Sequence, residues 1–408
     1  MNYDLIVCGA GPAGAIAATT AARAGLKVAL LEKYPLPRHK TCGGGTPMVM
    51  QRFLHDLAPE AFVESDVLYM RHTWNFADPY LGKINPSSTD QSLSLWMVQR
   101  SVFDHALAQQ AVRAGAELWD GLAVRSVQVE PQQVVVRAQA LKTDGALTPK
   151  AEFVATAPYV IGADGANGVT AKASGLRRKR AIALAMEIEY PYEWTDHPDL
   201  NPTIAHLEYG AVERGYAWIF PKAAHLNIGA GLFPPGQIDV RHDRQVRTEL
   251  QQAILGYLDL FQLPYNLDRL QFHAHPLPIW NGREPLHTPD GRVLLAGDAA
   301  GLINPFFGDG ILHAVKSGMI AADSVVNGAT QTYSDRIHAE FAANFDAAWI
   351  LAQVFYQFPG LLYRYGIKQE KATYLATQLL SGNWQFTELR GRAMRRLRQA
   401  MVGAFLGG

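Results

Sequence analysis

The stretch that decides the fold is Leu5-Ile6-Val7-Cys8, which runs directly into Gly9-Ala10-Gly11-Pro12-Ala13-Gly14. Four apolar residues in a row are typical of a strand buried on both faces of a parallel sheet. The alanine-rich segment that follows predicts a helix from about Pro12 to Arg23, and Gly25 can end it because glycine adopts the left-handed cap freely. Residues 27–32 then read as a second buried strand. The sequence therefore predicts a βαβ unit and an α/β fold with a Rossmann-like domain.

The glycine-rich turn fits G-x-G-x-x-G, a pattern that is weak by itself but gains meaning from its context. It follows a strand and opens a helix, and Glu32 ends the next strand 18 residues after the last glycine. Here the glycines let backbone N–H groups approach a pyrophosphate at the positive end of the helix, and the carboxylate accepts hydrogen bonds from a ribose diol. We interpret the unit as a dinucleotide site; the alternative is a structural turn beside a solvated glutamate.

Composition excludes several classes of protein. The 408-residue chain has 37 basic and 37 acidic side chains, whereas nucleic-acid binding draws on a cationic surplus. Its two cysteines, Cys8 and Cys42, are too few for a disulfide scaffold or a cysteine-rich metal centre, and no metal site is predicted. No apolar run approaches the roughly 18 residues of a membrane span, and the N-terminus lacks the cationic start of a secretory signal. We therefore expect a cytoplasmic protein.

Two later motifs indicate which dinucleotide is bound. The first is Val-Ile-Gly-Ala-Asp-Gly-Ala-Asn at residues 160–167; the second is Gly-Asp-Ala-Ala-Gly at 297–301, followed by Asn304-Pro305 and Gly-Asp-Gly-Ile at 308–311. In this order the motifs resemble the fingerprints of the p-hydroxybenzoate-hydroxylase-like flavoprotein superfamily, whose cofactor is FAD.

The resemblance implies roles for particular residues. Asp298 would bind the ribityl chain, the turn at 308–310 would open a helix under the flavin pyrimidine ring, and Arg100 would lie near the ribose and phosphates. The alternative is that Arg100 lies at the start of a helix and covers apolar surface with its aliphatic stem. The cofactor-binding residues that we expect are Gly9, Gly11, Pro12, Ala13, Gly14, Glu32, Lys33, Cys42, Gly43, Gly44, Arg100, Asp164, Gly165, Asp298, Pro305, Gly308, Gly310 and Ile311.

Two further stretches point to a substrate. Residues 37–45 fit P-x-x-x-x-C-G-G-G, and residues 216–231 fit Y-x-W-x-F-P-x7-G-x-G. Both resemble geranylgeranyl reductases, flavoenzymes that saturate isolated double bonds of prenyl chains. The resemblance implies hydride transfer from reduced FAD to a prenyl chain, with NADPH or reduced ferredoxin as electron donor. The alternative is a single-component aromatic hydroxylase that uses NAD(P)H and oxygen. Asn167-Gly168 and Asp309 depart from the usual residues of the family without losing a glycine.

The catalytic candidates lie in these two stretches. Tyr216, Trp218 and Phe220 alternate along a predicted strand, so all three face one way and could form an aromatic slot for an isoprene unit. An ordinary aromatic core is the alternative. Cys42, followed by three glycines, could donate a proton, gate flavin motion or line the substrate tunnel, and residues 38–40 before it could supply a positive setting or bind phosphates.

The remaining pattern suggests three regions. We expect a discontinuous FAD-binding domain at 1–72, 95–180 and 288–330, with a meander at 116–130, 134–141 and 153–161 and a helix that starts at Ser101 with Asp104 completing a capping box. An inserted antiparallel-sheet substrate domain is expected at 73–94 and 181–287, and a helical C-terminal region at 331–408.

Three histidines and one basic cluster complete the predictions. His273 and His275 read as structural, and His313 is expected to face the flavin. Five arginines lie between Arg390 and Arg398 on a predicted amphipathic helix. Such a helix suits an anionic membrane surface, although a helix packed on its own domain with a solvated basic face is the alternative.

Overall fold

The computed structural model describes residues 1–54, 56–86, 93–141, 147–177, 181–195, 197–236 and 238–389. The predicted basic helix with its five arginines lies outside the described residues. Among the helices that are described, none combines the length and hydropathy that crossing a bilayer requires.

A five-stranded parallel sheet carries the predicted βαβ unit. Its order is Val293–Leu295, Tyr159–Gly162, Leu5–Cys8, Val28–Leu31 and Glu117–Trp119. Helices Pro12–Arg23, Arg100–Arg113 and Ile311–Val326 pack around it. The helix after the glycine turn has the predicted bounds, and Gly25 follows it at φ +88°. The α/β fold is confirmed.

The predicted meander is present, but two of its strands are divided. The three antiparallel strands are Leu122–Val129, Val134–Leu141 and Leu147–Ala157. The segment predicted as one strand at 116–130 turns at Gly121, and the segment at 153–161 breaks at Pro158, which has no N–H to give to a ladder. The pieces beyond these breaks join the parallel sheet instead.

A seven-stranded sheet forms the second layer. Its order is His273–Ile279, Ala181–Pro191, His225–Leu232, Gly215–Pro221, Ile204–Glu208, Tyr69–Trp74 and Ala77–Lys83. Helix Arg244–Leu260 packs on one face through a buried apolar cluster, which leaves the other face for the site. The predicted limit at residue 72 falls inside the strand Tyr69–Trp74, which belongs to this sheet as a whole. The other domain limits stay a prediction.

The predicted capping box at Ser101 is wrong. The helix starts one residue earlier, at Arg100, and its N-cap Gln99 makes no side-chain cap. Asp104 instead accepts hydrogen bonds from Arg100 Nε and Arg38 Nη1, at 2.8 and 3.0 Å. A fully buried carboxylate gains more from two guanidiniums than from a backbone amide, because charge-assisted hydrogen bonds are the stronger ones.

The C-terminal region is helical, as predicted. It comprises Tyr333–Ile337, Ala343–Gln357, Pro359–Leu362 and Ala372–Leu380, with π-helical turns at His338–Ala342 and Tyr363–Ile367. A three-stranded sheet lies between the layers: Gly45–Pro47, Leu95–Val98 and Val63–Val67. Shorter helical elements are Met48–Phe53, Pro59–Ala61, Thr170–Ala173, Leu267–Arg269, Gly297–Ala300 and Thr330–Thr332.

Candidate active site

A cavity of about 830 Å³ is lined by elements of the parallel sheet, the seven-stranded sheet and the C-terminal helices. Most of the residues expected from the sequence line it: Gly9, Gly11, Pro12, Ala13, Glu32, Lys33, Cys42, Gly43, Gly44, Arg100, Asp164, Gly165, Tyr216, Trp218, Phe220, Asp298, Gly308, Gly310 and Ile311. Gly14 and Pro305 do not line it. Motifs far apart in the sequence thus meet around one space.

The first glycine turn is open to a ligand. Gly9 has φ +100°, and a side chain there would collide with the backbone of Ala163. A Cβ on Gly11 would meet nothing closer than Arg38 Nη2 at 3.9 Å, so a phosphate can approach this backbone. Gly14 packs against Gly9 O instead, which is the role of the third glycine in such turns. The turn and the helix N-terminus after it fit a pyrophosphate.

A buried ionic network lies beside this turn. Arg38 Nε is 3.1 Å from Glu32 Oε1, and Arg38 and Arg100 share the carboxylate of Asp104. Burial alone would raise the pKa of Asp104, but the two guanidiniums hold it below its usual range. Burial and the nearby Arg100 lower the pKa of Lys40, which also lines the cavity. Three cations face two carboxylates here, a balance that suits an anionic group.

The other motifs supply a second helix N-terminus and unpaired acceptors. Gly308 has φ +75°, and Gly310 is the N-cap of helix Ile311–Val326, as predicted. Oδ1 of Asp164 and Oδ1 of Asp309 are buried without a hydrogen-bond partner among the described residues. These acceptors suit the hydroxyl donors of FAD, and a helix N-terminus favours the negative charge of a reduced flavin. The residues present therefore fit FAD.

The prediction for His313 is wrong. Its Nδ1 lies 3.3 Å from the carbonyl oxygen of Asp309, and its ring packs edge-on against Phe345 at 4.8 Å. It does not line the cavity, because the helical periodicity turns the third residue of the helix towards the C-terminal region.

The seven-stranded sheet provides an aromatic wall. Tyr216, Trp218 and Phe220 all line the cavity, with ring centroids 6.0 and 5.9 Å apart in sequence order. Trp218 stands opposite Gly229 on the neighbouring strand, and any side chain at Gly229 would collide with the indole ring. Trp218 Nε1 also donates a hydrogen bond of 2.8 Å to Asn227 Oδ1. The indole is therefore held flat against the sheet.

The triglycine loop, residues 42–45, crosses this wall. A Cβ on Gly43 would come within 2.6 Å of the Phe220 ring, so glycine is required for the close approach. Cys42 is half-buried and lines the cavity, and its N–H donates a hydrogen bond of 2.9 Å to Glu187 Oε1. The fully buried Lys222 donates to Gly43 O, and burial lowers the pKa of Lys222 to about 8. The loop is thus fastened to the seven-stranded sheet by side chains.

Sequence reasoning missed several residues of this site. Glu187 and His275 line the cavity, and burial lowers the pKa of His275 to about 2, so its ring is neutral. The sequence identifies His275 only as a strand residue with a structural role, and no local motif indicates that the strand His273–Ile279 borders the site. The C-terminal helices, which carry no motif, contribute apolar lining residues: Phe355, Leu362, Ile367, Leu375, Ala376, Leu379 and Leu380.

One group of side chains has the composition of a metal site. Among the described residues, only His39, Glu187 and Glu189 bring ligand atoms within 4.8 Å of one another. Glu187 Oε1 already accepts the Cys42 N–H, and Glu189 Oε1 accepts from Gln99 Nε2 at 2.9 Å. We assign no metal to this group.

Comparison with known proteins agrees with this site. The sequence model of the family described as "FAD binding domain" matches residues 2–326, so the chain belongs to that family. A geranylgeranyl diphosphate reductase of Rhodobacter capsulatus is 31% identical over 80% of this chain and 75% of its own length. A digeranylgeranylglycerophospholipid reductase of Methanocaldococcus jannaschii is 28% identical over 79% of this chain and 76% of its own. The chain is an FAD-dependent oxidoreductase of the geranylgeranyl reductase-like group.

Solved structures share the fold. A geranylgeranyl bacteriochlorophyll reductase-like protein from Thermoplasma acidophilum superposes with a TM-score of 0.71 at 23% identity, covering 93% of this chain and 91% of its own. A flavin-dependent brominase gives the same TM-score of 0.71 at 17% identity, covering 98% of this chain and 100% of its own. Since one fold serves different chemistries, the substrate has to be argued from the site.

Proposed function

We propose that this oxidoreductase saturates carbon–carbon double bonds of a geranylgeranyl-type prenyl chain with hydride supplied by reduced FAD. The observation that carries the proposal is the lining of the cavity. The glycine turns with their ionic network, the aromatic wall and apolar side chains of the C-terminal helices all line it. We infer that these three surfaces follow one another in that order, which would suit a cofactor, a reacting double bond and a hydrocarbon tail.

The apolar end accounts for binding of a long chain. Leu375, Leu379 and Leu380 project from the helix Ala372–Leu380 into the cavity. Removing hydrocarbon from water contributes about 25 cal/mol per Å², so a chain laid along such a lining is bound without any polar contact. An aromatic hydroxylase acting on a small phenol has no use for this extension.

The chain's residues act by placing the double bond. An isolated alkene has no carbonyl on which to stabilise charge, so catalysis depends on alignment and on proton delivery. Tyr216, Trp218 and Phe220 form the slot for one isoprene unit, and Cys42 lines the same cavity in the loop that approaches Phe220. The aromatic rings exclude water and offer flat apolar contact.

The substrate would be taken from a lipid surface. Five large apolar side chains on the C-terminal helices are 43–65% exposed, a set that we call the apolar rim: Ile350, Val354, Phe358, Leu361 and Tyr365. Leu362 and Ile367, which are close to rim residues in the sequence, line the cavity, and we infer that the rim leads into it. Exposed Arg364 and Lys371 stand close by in sequence, which suits an anionic bilayer. We propose contact with the cytoplasmic surface of the membrane through this rim.

Product analysis tests the proposed reaction. Purified protein with FAD and excess chemical reductant is incubated with geranylgeranyl diphosphate under nitrogen, and the molecular mass of the prenyl product is measured by mass spectrometry. The proposal predicts a gain of two hydrogen atoms for every double bond reduced. If the prenyl compound is unchanged under nitrogen, and the protein hydroxylates a phenol in a separate incubation with oxygen, the hydroxylase is favoured. NADPH and reduced ferredoxin are then compared as electron donors.

A further inference from the structure

Glu187 is the single carboxylate that the seven-stranded sheet presents to the cavity, among the residues that the structure describes. It is 1% exposed. In the sheet it pairs with Gly229, and Gly229 pairs with Trp218, so the three residues form one row across adjacent strands. Because Gly229 has no side chain, nothing in that row stands between the carboxyl group and the indole ring. Glu187 thus lies at the edge of the slot proposed for the double bond.

The two oxygens of Glu187 have different surroundings. Oε1 accepts the Cys42 N–H at 2.9 Å, whereas Oε2 is buried without a hydrogen-bond partner among the described residues. Oε2 therefore has no hydrogen-bond partner among the described residues, which leaves a proton on it available to a molecule in the cavity. A buried polar atom left in this way usually has a functional reason.

We propose, on the basis of the proposed function, that Glu187 is the general acid that delivers the second hydrogen to the alkene. The alkene π bond breaks as hydride from reduced FAD forms a C–H bond at one carbon. The other carbon takes the proton of Glu187 Oε2 and forms the second C–H bond. The electron pair of the broken O–H bond stays on the carboxylate, and the flavin is oxidised by two electrons.

The charges around Glu187 suit this step. His39 Nε2 lies 3.8 Å from Oε1, His273 pairs with Glu187 across the sheet, and Glu189 follows it on the same strand. Burial raises the pKa of Glu187 to about 7, although Asn227, the Cys42 N–H and the Lys222 ammonium act to lower it. An acid that is half protonated near neutral pH both donates and recovers its proton readily.

Glu187 can recover its proton from solvent through His39. The imidazole of His39 is 38% exposed at the side chain and stands next to the carboxyl group, so it can pass protons from solvent. Its ring also packs 4.4 Å from that of His273, which fixes its orientation. Each turnover consumes one proton here, and solvent restores it.

The variant Glu187→Gln tests the proposal, with Glu193→Gln as the control, since Glu193 is exposed and does not line the cavity. The amide oxygen can still accept the Cys42 N–H, so the loop is retained while the acid is lost. We expect anaerobic reoxidation by a prenyl diphosphate to slow by about 100-fold or more in E187Q and to change less than twofold in E193Q. The reoxidation rate of the wild type should fall above about pH 7, and this decrease with pH should be absent from E187Q. If E187Q were as fast as the wild type, or lost activity above pH 7 in the same way, the proposal would be overturned.

A second readout needs neither substrate nor turnover. Infrared difference spectra of the oxidised protein should contain a protonated-carboxyl C=O band that titrates near pH 7 and is missing from E187Q but present in E193Q. Absence of that band from the wild type would refute the acid role even if the prenyl substrate is right. Failure of every prenyl compound to reoxidise wild-type flavin, with the band present, would refute the proposed function instead.

Discussion

The ammonium of Lys222 donates a hydrogen bond of 2.7 Å to the carbonyl oxygen of Gly43 and a second of 2.8 Å to Val98 O. The side chain is fully buried, so both bonds are made out of reach of water. Lys222 directly follows the strand Gly215–Pro221, so its two hydrogen bonds connect the end of that strand to the triglycine loop and to the strand Leu95–Val98. Lys222 therefore holds the loop, and Cys42 with it, against the aromatic wall.

Lys222→Met should loosen this loop. Each buried carbonyl left without its donor costs about 1–3 kcal/mol, enough to raise the population of an open loop about tenfold or more. Thiol modification of Cys42 should accelerate by that factor, with Cys8 as the internal control because it is fully buried and unreactive. Lys172→Met, at an exposed helical lysine, should leave the rate unchanged. Equal rates in K222M and wild type would contradict the proposed role of Lys222.

Trp218→Ala should separate cofactor binding from substrate binding. The indole forms part of the proposed slot and lies beside Gly43 of the triglycine loop, whereas the first glycine turn, at residues 9–14, belongs to the parallel-sheet layer. Flavin content should therefore match wild type while prenyl-dependent reoxidation falls about 10- to 100-fold. Trp96→Ala is the matched control, since Trp96 is also 6% exposed but does not line the cavity. Loss of flavin from W218A but not from W96A would show that Trp218 serves the cofactor.

Ala376→Trp should shorten the chain that the enzyme accepts. Ala376 lines the apolar end of the cavity, and an indole there would fill the space proposed for the tail. Reoxidation by geranylgeranyl diphosphate should slow at least about tenfold, while geranyl diphosphate remains a substrate. Ala343→Trp, at an exposed position of a neighbouring helix, should affect neither compound. If A376W slowed both substrates equally, the tail would not lie at this end.

The double variant Val354→Glu with Leu361→Glu tests the apolar rim. Two carboxylates on a surface that meets anionic lipid would add charge repulsion and remove apolar contact, so co-sedimentation with anionic liposomes should fall severalfold. Val112→Glu, at a valine of similar exposure on helix Arg100–Arg113, should have no effect. Unaltered sedimentation of the double variant would leave the rim without a role in membrane contact.

Much of the nucleotide half of the molecule could be predicted from sequence, because its signals are local. The strand Leu5–Cys8, the glycine turn and the helix Pro12–Arg23 lie next to one another in the chain, and their chemistry follows from backbone geometry. The capping box at Ser101 failed because Asp104 binds Arg100, four residues earlier, and also Arg38, 66 residues away. A contact at that separation leaves no local pattern.

The substrate half was less predictable for a similar reason. The motif around Trp218 identified the aromatic wall, but Glu187 lies on a strand with no motif and faces the wall only through sheet register. The C-terminal helices enter the site through apolar residues whose spacing resembles that of any packed helix. His313 misled the prediction because its position after the Gly310 turn did not reveal which face of the helix it occupies.

We propose that reduced FAD in this protein gives hydride to a prenyl double bond. The most direct test is anaerobic reduction of the holoenzyme, followed by stopped-flow mixing with geranylgeranyl diphosphate and observation of flavin absorbance. We expect rapid reoxidation by the unsaturated compound and none by its fully saturated analogue. A flavin that stays reduced with every prenyl compound, but is reoxidised by oxygen with hydroxylation of a phenol, would rule out hydride transfer to a prenyl chain.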